Sequence, residues 1–186
     1  MKFFTLLVVS CFLSLALSSS AQQLSQDEQK LYDLVMAYRK SKGLPPIPIS
    51  VSLTFVAQTH AKDVVNQKLG DAPCNLHSWS EKGKWTPCCY TSDHKKADCM
   101  WSKPNELTSY SSSGYEISAG SYSYSNITPQ EALDLWKKSS GHNQVILNQG
   151  IWKDNKWNAI GIGIFNGYAC IWFGEALDTA TSVQLK

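Results

Sequence analysis

Two of the four histidines in this chain of 186 residues occur where a functional site would be expected. His77 and His142 each follow closely on the predicted end of a helix, and loops on rigid elements commonly carry binding and catalytic residues. Glu116 lies between them in the chain, in a segment whose glycines allow a close approach. Two neutral imidazoles and one carboxylate would provide three ligands and an open position, which suits Zn²⁺ with a bound water. The alternative is a hydrogen-bonded polar cluster in a cleft, without a metal.

The other two histidines have simpler interpretations. His60 falls on the apolar face of a predicted helix, which indicates a buried histidine with satisfied hydrogen bonds. His94 precedes two lysines in a polar stretch, which indicates a solvated loop position. The sequence has no Gly-rich phosphate loop, no Gly-x-Ser-x-Gly elbow and no His-Glu-x-x-His helix, so no common motif assigns a reaction.

Helical segments would position these side chains, and their starts are marked by capping residues. They are a first helix opened by Ser25-Gln26-Asp27-Glu28 and ended by Pro45-Pro46, a second from Ser50 or Ser52 to Gly70, a third opened by Thr128-Pro129-Gln130-Glu131 and ended at residues 139–141, and a short turn at residues 145–147.

The clearest strand signal lies near the C-terminal end of the chain. Segments 159–165 and 168–173 flank Asn166-Gly167, the favoured two-residue turn of a β-hairpin. That turn fixes a register with one apolar face, while the other face places glycines opposite bulky residues. A weaker alternation over residues 114–124 indicates a further strand. Helices around a short antiparallel sheet predict the α+β class, built as a three-layer α-β-α sandwich.

Residues 71–113 differ in composition and are predicted to form a loop-rich insertion rich in Cys and Trp. Export favours disulfides, so we predict at least one disulfide among Cys74, Cys88, Cys89 and Cys99, with the connectivity left open. An alternative is a zinc knuckle, because Cys89, His94 and Cys99 have the spacing of half a knuckle. Cys170 lies among apolar strand residues, which indicates a buried free thiol.

The aromatic residues of the insertion have two interpretations. They could line a carbohydrate or lipid surface, or they could pack a small satellite core under the loop, which is the arrangement we expect. The residues are Trp79, Trp85, Tyr90 and Trp101.

The N-terminal segment predicts export. Lys2 precedes an almost wholly apolar stretch over residues 3–17, and small residues follow, as in a signal peptide cut after Ala21. The mature chain, residues 22–186, is predicted to be one domain without a transmembrane anchor, because no second apolar run occurs. Processing as a lipoprotein at Cys11 is the alternative. The predicted location is secreted or extracellular, or periplasmic in a Gram-negative bacterium.

The charge pattern excludes nucleic acid from the expected partners. The formal net charge is +2, and Arg39 is the only arginine. A nucleic-acid-binding protein would show clustered Arg and Lys on one surface.

Together these segments resemble the CAP superfamily, which comprises cysteine-rich secretory, antigen 5 and pathogenesis-related proteins. The resemblance rests on the two early helices, the isolated His77, the segment around Glu116, and the W-x-x-S-x-G-H-x-x-x-I-L pattern of residues 136–147. The Ile-Gly-Ile-Gly sequence at 160–163 adds to it, in the form common in bacterial members. The resemblance implies an SCP-like sandwich with a central cleft, lined by two His and two Glu, where some members bind a divalent metal.

Carried over residue by residue, the resemblance implies that His77, Glu116 and His142 line the cleft and bind the metal. Ser139 stands where eukaryotic members have the second Glu, so one acid is missing from the cleft. The implied cofactor is one divalent metal such as zinc, held with modest affinity, and no organic cofactor is implied.

The predicted function is binding, because the resemblance implies no single reaction. The expected occupant of the cleft is a small molecule, a lipid, or an extracellular or cell-envelope partner. One alternative is a metal-dependent hydrolase, in which Zn²⁺ lowers the pKa of a water and Glu116 acts as ligand or general base. Another is a carbohydrate-binding module that uses the aromatic insertion.

Overall fold

The computed structural model describes residues 23–183 and 185–186. The predicted signal peptide, its cut after Ala21 and the alternative processing at Cys11 lie outside these ranges. Within them the chain forms six α-helices, one 3₁₀ turn and three strands. In chain order these are α1 Gln26–Ser41, α2 Val51–Gln67, α3 Ala97–Trp101, α4 Lys103–Leu107, β1 Gly114–Gly120, α5 Pro129–Lys138, α6 Ser140–Leu147, the 3₁₀ turn Gly150–Trp152, β2 Ala159–Phe165 and β3 Tyr168–Gly174.

The predicted helix starts are confirmed by their caps. Ser25 and Glu28 form a reciprocal capping box at the start of α1, and Thr128 and Glu131 form a second at the start of α5. Each box satisfies backbone N–H groups that have no partner within the helix.

Helix α6 is longer than the short turn predicted at residues 145–147. Ser139 has an extended backbone, with φ −88° and ψ 113°, which ends α5 and lets α6 begin at Ser140. His142 therefore lies in the first turn of a helix. The end of the preceding helix was predicted correctly, but the start of a new helix at Ser140 was not.

The sheet is antiparallel with the strand order β1-β3-β2. The hairpin register is confirmed, with Ile162 opposite Ile171 and Gly161 opposite Trp172. β1 occupies one outer edge of the sheet and pairs Glu116 with Trp172. Glu116 therefore lies on the same face of the sheet as Trp172.

Helical layers cover both faces of the sheet, so the chain is an α-β-α sandwich as predicted. One face, which includes Ile117 and Ile171, packs against α1, α5 and α6. The other face, which includes Cys170 and Trp172, packs against α2 and the insertion. Burial of these apolar faces drives the association of the layers.

Helix α2 lies very close to β2, and two glycines of the strand allow it. A Cβ atom on Gly161 would lie 2.1 Å from the carbonyl carbon of Leu53, and one on Gly163 would lie 2.3 Å from the carbonyl oxygen of Ala57. No side chain can occupy that space without moving the helix backbone. The glycines opposite bulky residues in the hairpin are therefore explained by contact with α2.

Two disulfides staple the insertion, Cys74–Cys89 and Cys88–Cys99, which confirms the predicted disulfide bonding. The zinc knuckle is wrong, because both of its cysteines are bonded to other cysteines. In the described part of the chain Cys170 keeps a buried free thiol.

The insertion contributes one layer of the main core. Trp79 is 2% exposed and shares a core cluster with Trp172 of the sheet, so the expected separate satellite core is not what forms. The short helices α3 and α4 were not predicted, since helices of five residues depend on tertiary packing and leave no clear period.

The chain after β3 returns to the start of α2. The Asp178 carboxylate accepts hydrogen bonds from the Ser50 hydroxyl at 2.5 Å and from the Ser52 backbone N–H at 2.8 Å. Burial raises the pKa of Asp178, but these bonds outweigh it and hold the pKa below its ordinary value. An anion at a helix N-terminus is stabilising, so Asp178 ties the C-terminal segment to α2.

Candidate functional site

A cleft of about 470 Å³ opens along the edge strand β1. His77, Glu116, Ser139 and His142 all line it, so the structure brings the four predicted cleft residues into one cavity. They come from three elements: the insertion supplies His77, β1 supplies Glu116, and the α5–α6 junction supplies Ser139 and His142.

Glu116 is the most heavily hydrogen-bonded group of the cleft. Its Oε2 lies 2.8 Å from Nδ1 of His77, and its Oε1 lies 2.6 Å from Nδ1 of His60. The Tyr168 hydroxyl lies 3.4 Å from the same Oε1. Burial raises the pKa of Glu116, but the charges and hydrogen bonds of His60 and His77 outweigh it and hold the pKa well below its ordinary value. The carboxylate is therefore ionised near neutral pH.

His60 is fully buried beneath this carboxylate, as its place on the apolar face of α2 predicted. Its Nε2 lies 3.0 Å from the Ser78 carbonyl oxygen, and its ring stacks on Trp79 with centroids 4.4 Å apart. Burial lowers the pKa of His60, but Glu116 and the Ser78 carbonyl outweigh that effect and raise it above the ordinary value.

His142 is in the opposite electrostatic position. Within residues 23–183 and 185–186 no group hydrogen-bonds to its ring, which is partly buried in the first turn of α6. Burial and the nearby charge of His77 lower its pKa to about 4, against an opposing effect of Glu116. The positive end of the helix dipole acts in the same direction. The ring is neutral near pH 7, and its lone pair is available to a ligand.

Much of the cleft is lined by apolar side chains. Met100 and Trp101 line it from the insertion, Tyr115 from β1, and Ile151 and Trp152 from the 3₁₀ turn. Ile151 lines the cleft while its side chain stays accessible, at 83% exposure.

His94 also lines the cleft, from the insertion side. Its ring is exposed, as predicted for a solvated position, and its Nδ1 lies 2.9 Å from the Tyr90 hydroxyl.

A family model for the cysteine-rich secretory protein family, CAP, matches residues 32–164 of the chain. The chain belongs to the CAP family. The comparison with curated protein sequences found no match.

Two solved bacterial structures resemble this CAP protein. An extracellular protein containing an SCP domain from Bacillus anthracis str. Ames matches over 81% of the chain with a TM-score of 0.55 and 18% identity. A cysteine-rich secretory protein from Staphylococcus aureus subsp. aureus Mu50 matches over 83% with a TM-score of 0.51 and 16% identity. The chain covers 40% of each of these proteins, and the likeness shows the fold alone. Among the described residues no helix has the length and apolar character needed to cross a membrane.

The CAP cleft of this chain departs from the two-His, two-Glu pattern in an informative way. Ser139 lines the cavity where the second acid is expected, and no other acid replaces it among the cleft-lining residues of the described chain. A third histidine, His60, instead contacts the remaining acid from below.

Whether the cleft suits a divalent metal depends on which ring nitrogens of His77 and His142 are free of other hydrogen bonds. The Nδ1 of His77 is engaged by Glu116, which leaves Nε2 for a ligand, and the ring of His142 has no competing hydrogen bond among the described residues. Both imidazoles therefore suit a metal.

The three predicted ligands do not, however, approach each other closely as a set. Among the described residues, the group whose possible ligand atoms all lie within 4.8 Å of one another is His60, Glu116 and Cys170. This group is fully buried, and its His and Glu already hydrogen-bond each other. It is a less suitable metal site than the two cleft imidazoles.

His60 is the residue of the site that the sequence did not single out. Its burial and satisfied hydrogen bonds were predicted, but its partner, 56 residues away in the chain, was not. A histidine among small and aliphatic residues on a buried helix face needs a polar partner, and that requirement is the one signal that could have drawn attention to it.

Proposed function

We propose that this CAP protein is an extracellular binding protein whose cleft holds a small molecule with an apolar body and a polar end. The observation that carries the proposal is the mixed lining of the cleft. Aromatic and aliphatic side chains form much of its wall, whereas His77 and His142 supply a few polar atoms. Sites of this kind commonly bind small ligands, with the apolar wall providing affinity and a few polar groups fixing orientation.

The polar end of the ligand is expected to be anionic. Glu116 is the acid that lines the cleft among the described residues, and its charge is matched by His60 directly beneath it. The imidazole of His77 and the first-turn N–H groups of α6 favour a negative group in the space that remains.

The same two histidines are proposed to hold a divalent metal such as zinc. His77 would bind through Nε2 and His142 through its ring, and Glu116 would orient His77 through Nδ1–H. When bound, the metal would supply a positive centre for an anionic or lone-pair donor group of the ligand.

Binding is favoured over hydrolysis by the state of Glu116. A general base must accept a proton from a water, but both oxygens of this carboxylate already accept hydrogen bonds or contact donors. Its low pKa also makes it a weak base.

Carbohydrate binding through the insertion is less well supported. Trp79 is buried beneath the cleft and cannot present its ring to a sugar.

The apolar part of the proposal can be tested with 1-anilinonaphthalene-8-sulfonate, which combines an apolar ring system with an anionic group. Its fluorescence should rise on binding to the native protein, and Ile151→Ser should weaken the binding at least about threefold. Leu177→Ser is the matched control, since Leu177 is a 66% exposed aliphatic residue that does not line this cleft. Equal effects of both substitutions would contradict the proposed site.

The metal part can be tested by calorimetric titration with Zn²⁺. Substitution of either His77 or His142 by Ala should reduce the affinity at least about tenfold, while His94→Ala, on the same cleft, should not. Zinc binding that survives both substitutions but is lost in Cys170→Ser would place the ion in the buried cluster and refute the assignment.

A further inference from the structure

Both ring nitrogens of His60 face acceptor oxygens. The Ser78 carbonyl can only accept, so Nε2 of His60 carries a hydrogen and donates it across 3.0 Å. On the other side, Nδ1 lies 2.6 Å from Oε1 of Glu116. A neutral imidazole protonated at Nε2 and an ionised carboxylate would place two acceptors against each other there. The His60–Glu116 pair must therefore share one additional proton.

The surroundings make this pairing costly to lose. The side chains of His60 and Glu116 are both fully buried, and the imidazole stacks almost parallel on Trp79, with 10° between the ring planes. Removing one partner of a buried charged pair leaves the other uncompensated, which is strongly unfavourable. The position of the Glu116 carboxylate thus depends on His60.

The second oxygen of Glu116 transmits this constraint to the cleft. Oε2 of the ionised carboxylate lies 2.8 Å from Nδ1 of His77 and can only accept, so Nδ1 carries the hydrogen, and the bond fixes the ring orientation and the tautomer of His77. In that tautomer Nε2 has the lone pair. A carboxylate that holds a histidine in this way is the usual support of a histidine that binds a metal or an acidic ligand group.

We propose that His60 is a positioning residue of the cleft: through Glu116 it holds His77 as the Nδ1–H tautomer and leaves Nε2 of His77 for the ligand. His60 thereby supports Glu116, the acid that remains in a cleft where Ser139 stands in place of the second acid. The use of Nε2 rests on the proposed function, whereas the tautomer can be measured without any ligand.

A pair of isosteric substitutions separates positioning from packing. The amide nitrogen of Asn occupies the place of a histidine Nδ1, so His60→Asn keeps a donor to Glu116 and loses the bond to Ser78. The amide nitrogen of Gln occupies the place of Nε2, so His60→Gln keeps the bond to Ser78 and loses the donor to Glu116. Both remove the imidazole from its stack on Trp79.

The experiment is ¹⁵N-histidine NMR of the full mature protein without metal, followed by titration with Zn²⁺. In the native protein and in His60→Asn, His77 should carry its hydrogen on Nδ1. In His60→Gln, a substantial fraction should shift to the Nε2–H tautomer, and zinc affinity should fall about tenfold or more. His60→Asn should retain more zinc affinity than His60→Gln.

Three outcomes would overturn the proposal. The first is a native His77 with its hydrogen on Nε2, which needs no variant and so does not depend on folding of the substituted proteins. The second is an unchanged His77 tautomer in His60→Gln. The third is an equal loss of zinc affinity in both variants. An absence of zinc binding in the native protein, with the tautomers as expected, would instead refute the proposed metal function and support the positioning role of His60.

Discussion

The surroundings of His60 and His142 shift the pKa values of these two histidines in opposite directions. His60 is buried against a carboxylate, and its pKa is raised. His142 is partly buried beside His77 with no hydrogen-bond partner among the described residues, and its pKa is lowered to about 4. His60 therefore serves as a buried partner of Glu116, whereas His142 offers a neutral ring to a ligand.

The depressed pKa of His142 predicts a pH-dependent stability. As the pH falls, the unfolded chain binds a proton near the ordinary pKa of about 6.5, while the folded protein binds it only near pH 4. Stability that is present above about pH 6.5 should therefore be lost between 6.5 and 4. Urea unfolding at pH 7.5 and 4.5 should show that His142→Gln loses less stability over this interval, by roughly 1–2 kcal/mol after allowance for the exposed part of the ring. The same loss in both proteins would contradict the lowered pKa.

At the residue scale, the sequence predicted which side chains would line the cleft but not how they are connected. The local patterns around His77 and His142 indicated ends of elements, and Glu116 came from a Gly-flanked strand. The bond between Glu116 and His60 joins β1 to α2 across 56 residues of the chain, and no local pattern records such a contact.

At the scale of elements, the close approach of α2 to β2 positions His60 under the sheet. Gly161 and Gly163 allow it, because they have no Cβ atom and so leave room for the backbone of α2. The hairpin and its register were predictable from the Asn166-Gly167 turn. The small helices of the insertion were not, since they are stabilised by disulfides and by contact with the core.

A methyl group on β2 should disturb this contact. Gly161→Ala would place Cβ within 2.1 Å of the Leu53 backbone, so α2 must shift, and the loss of stability should be at least about 2 kcal/mol. Gly141→Ala in α6 is the control, because its Cβ meets nothing within 4 Å and Ala favours a helix; it should leave stability within about 0.5 kcal/mol or raise it. Chemical denaturation of both variants measures the difference. Similar stabilities would show that α2 does not lie so close to the strand.

At the scale of the whole molecule, the C-terminal segment closes the fold onto the start of α2 through Asp178. Three of the hydrogen-bond donors to Asp178 come from Ser50 and Ser52, more than 120 residues earlier in the chain, with separations of 128 and 126. These bonds join the C-terminal segment to the start of α2, and no local sequence pattern predicts the contact.

Asp178→Asn should destabilise the protein by about 1–2 kcal/mol, since the helix N-terminus loses an anion and its charge-assisted hydrogen bonds. Asp154→Asn is the control, because the Asp154 side chain is 87% exposed and forms an ion pair with its neighbour Lys153. Thermal unfolding of the two variants at neutral pH compares them. An equal effect of both substitutions would mean that the C-terminal segment is not anchored at α2.

The central claim is that His77 and His142 together form the metal-binding and ligand-binding centre of the cleft. The most direct measurement is the anomalous difference density of a zinc-loaded crystal at the zinc absorption edge. A zinc ion bound by both histidines should give one strong peak about 2.0–2.1 Å from Nε2 of His77 and from a ring nitrogen of His142, with Glu116 still hydrogen-bonded to Nδ1 of His77. A peak among His60, Glu116 and Cys170, or a fully loaded crystal without a peak between the two cleft histidines, would contradict it.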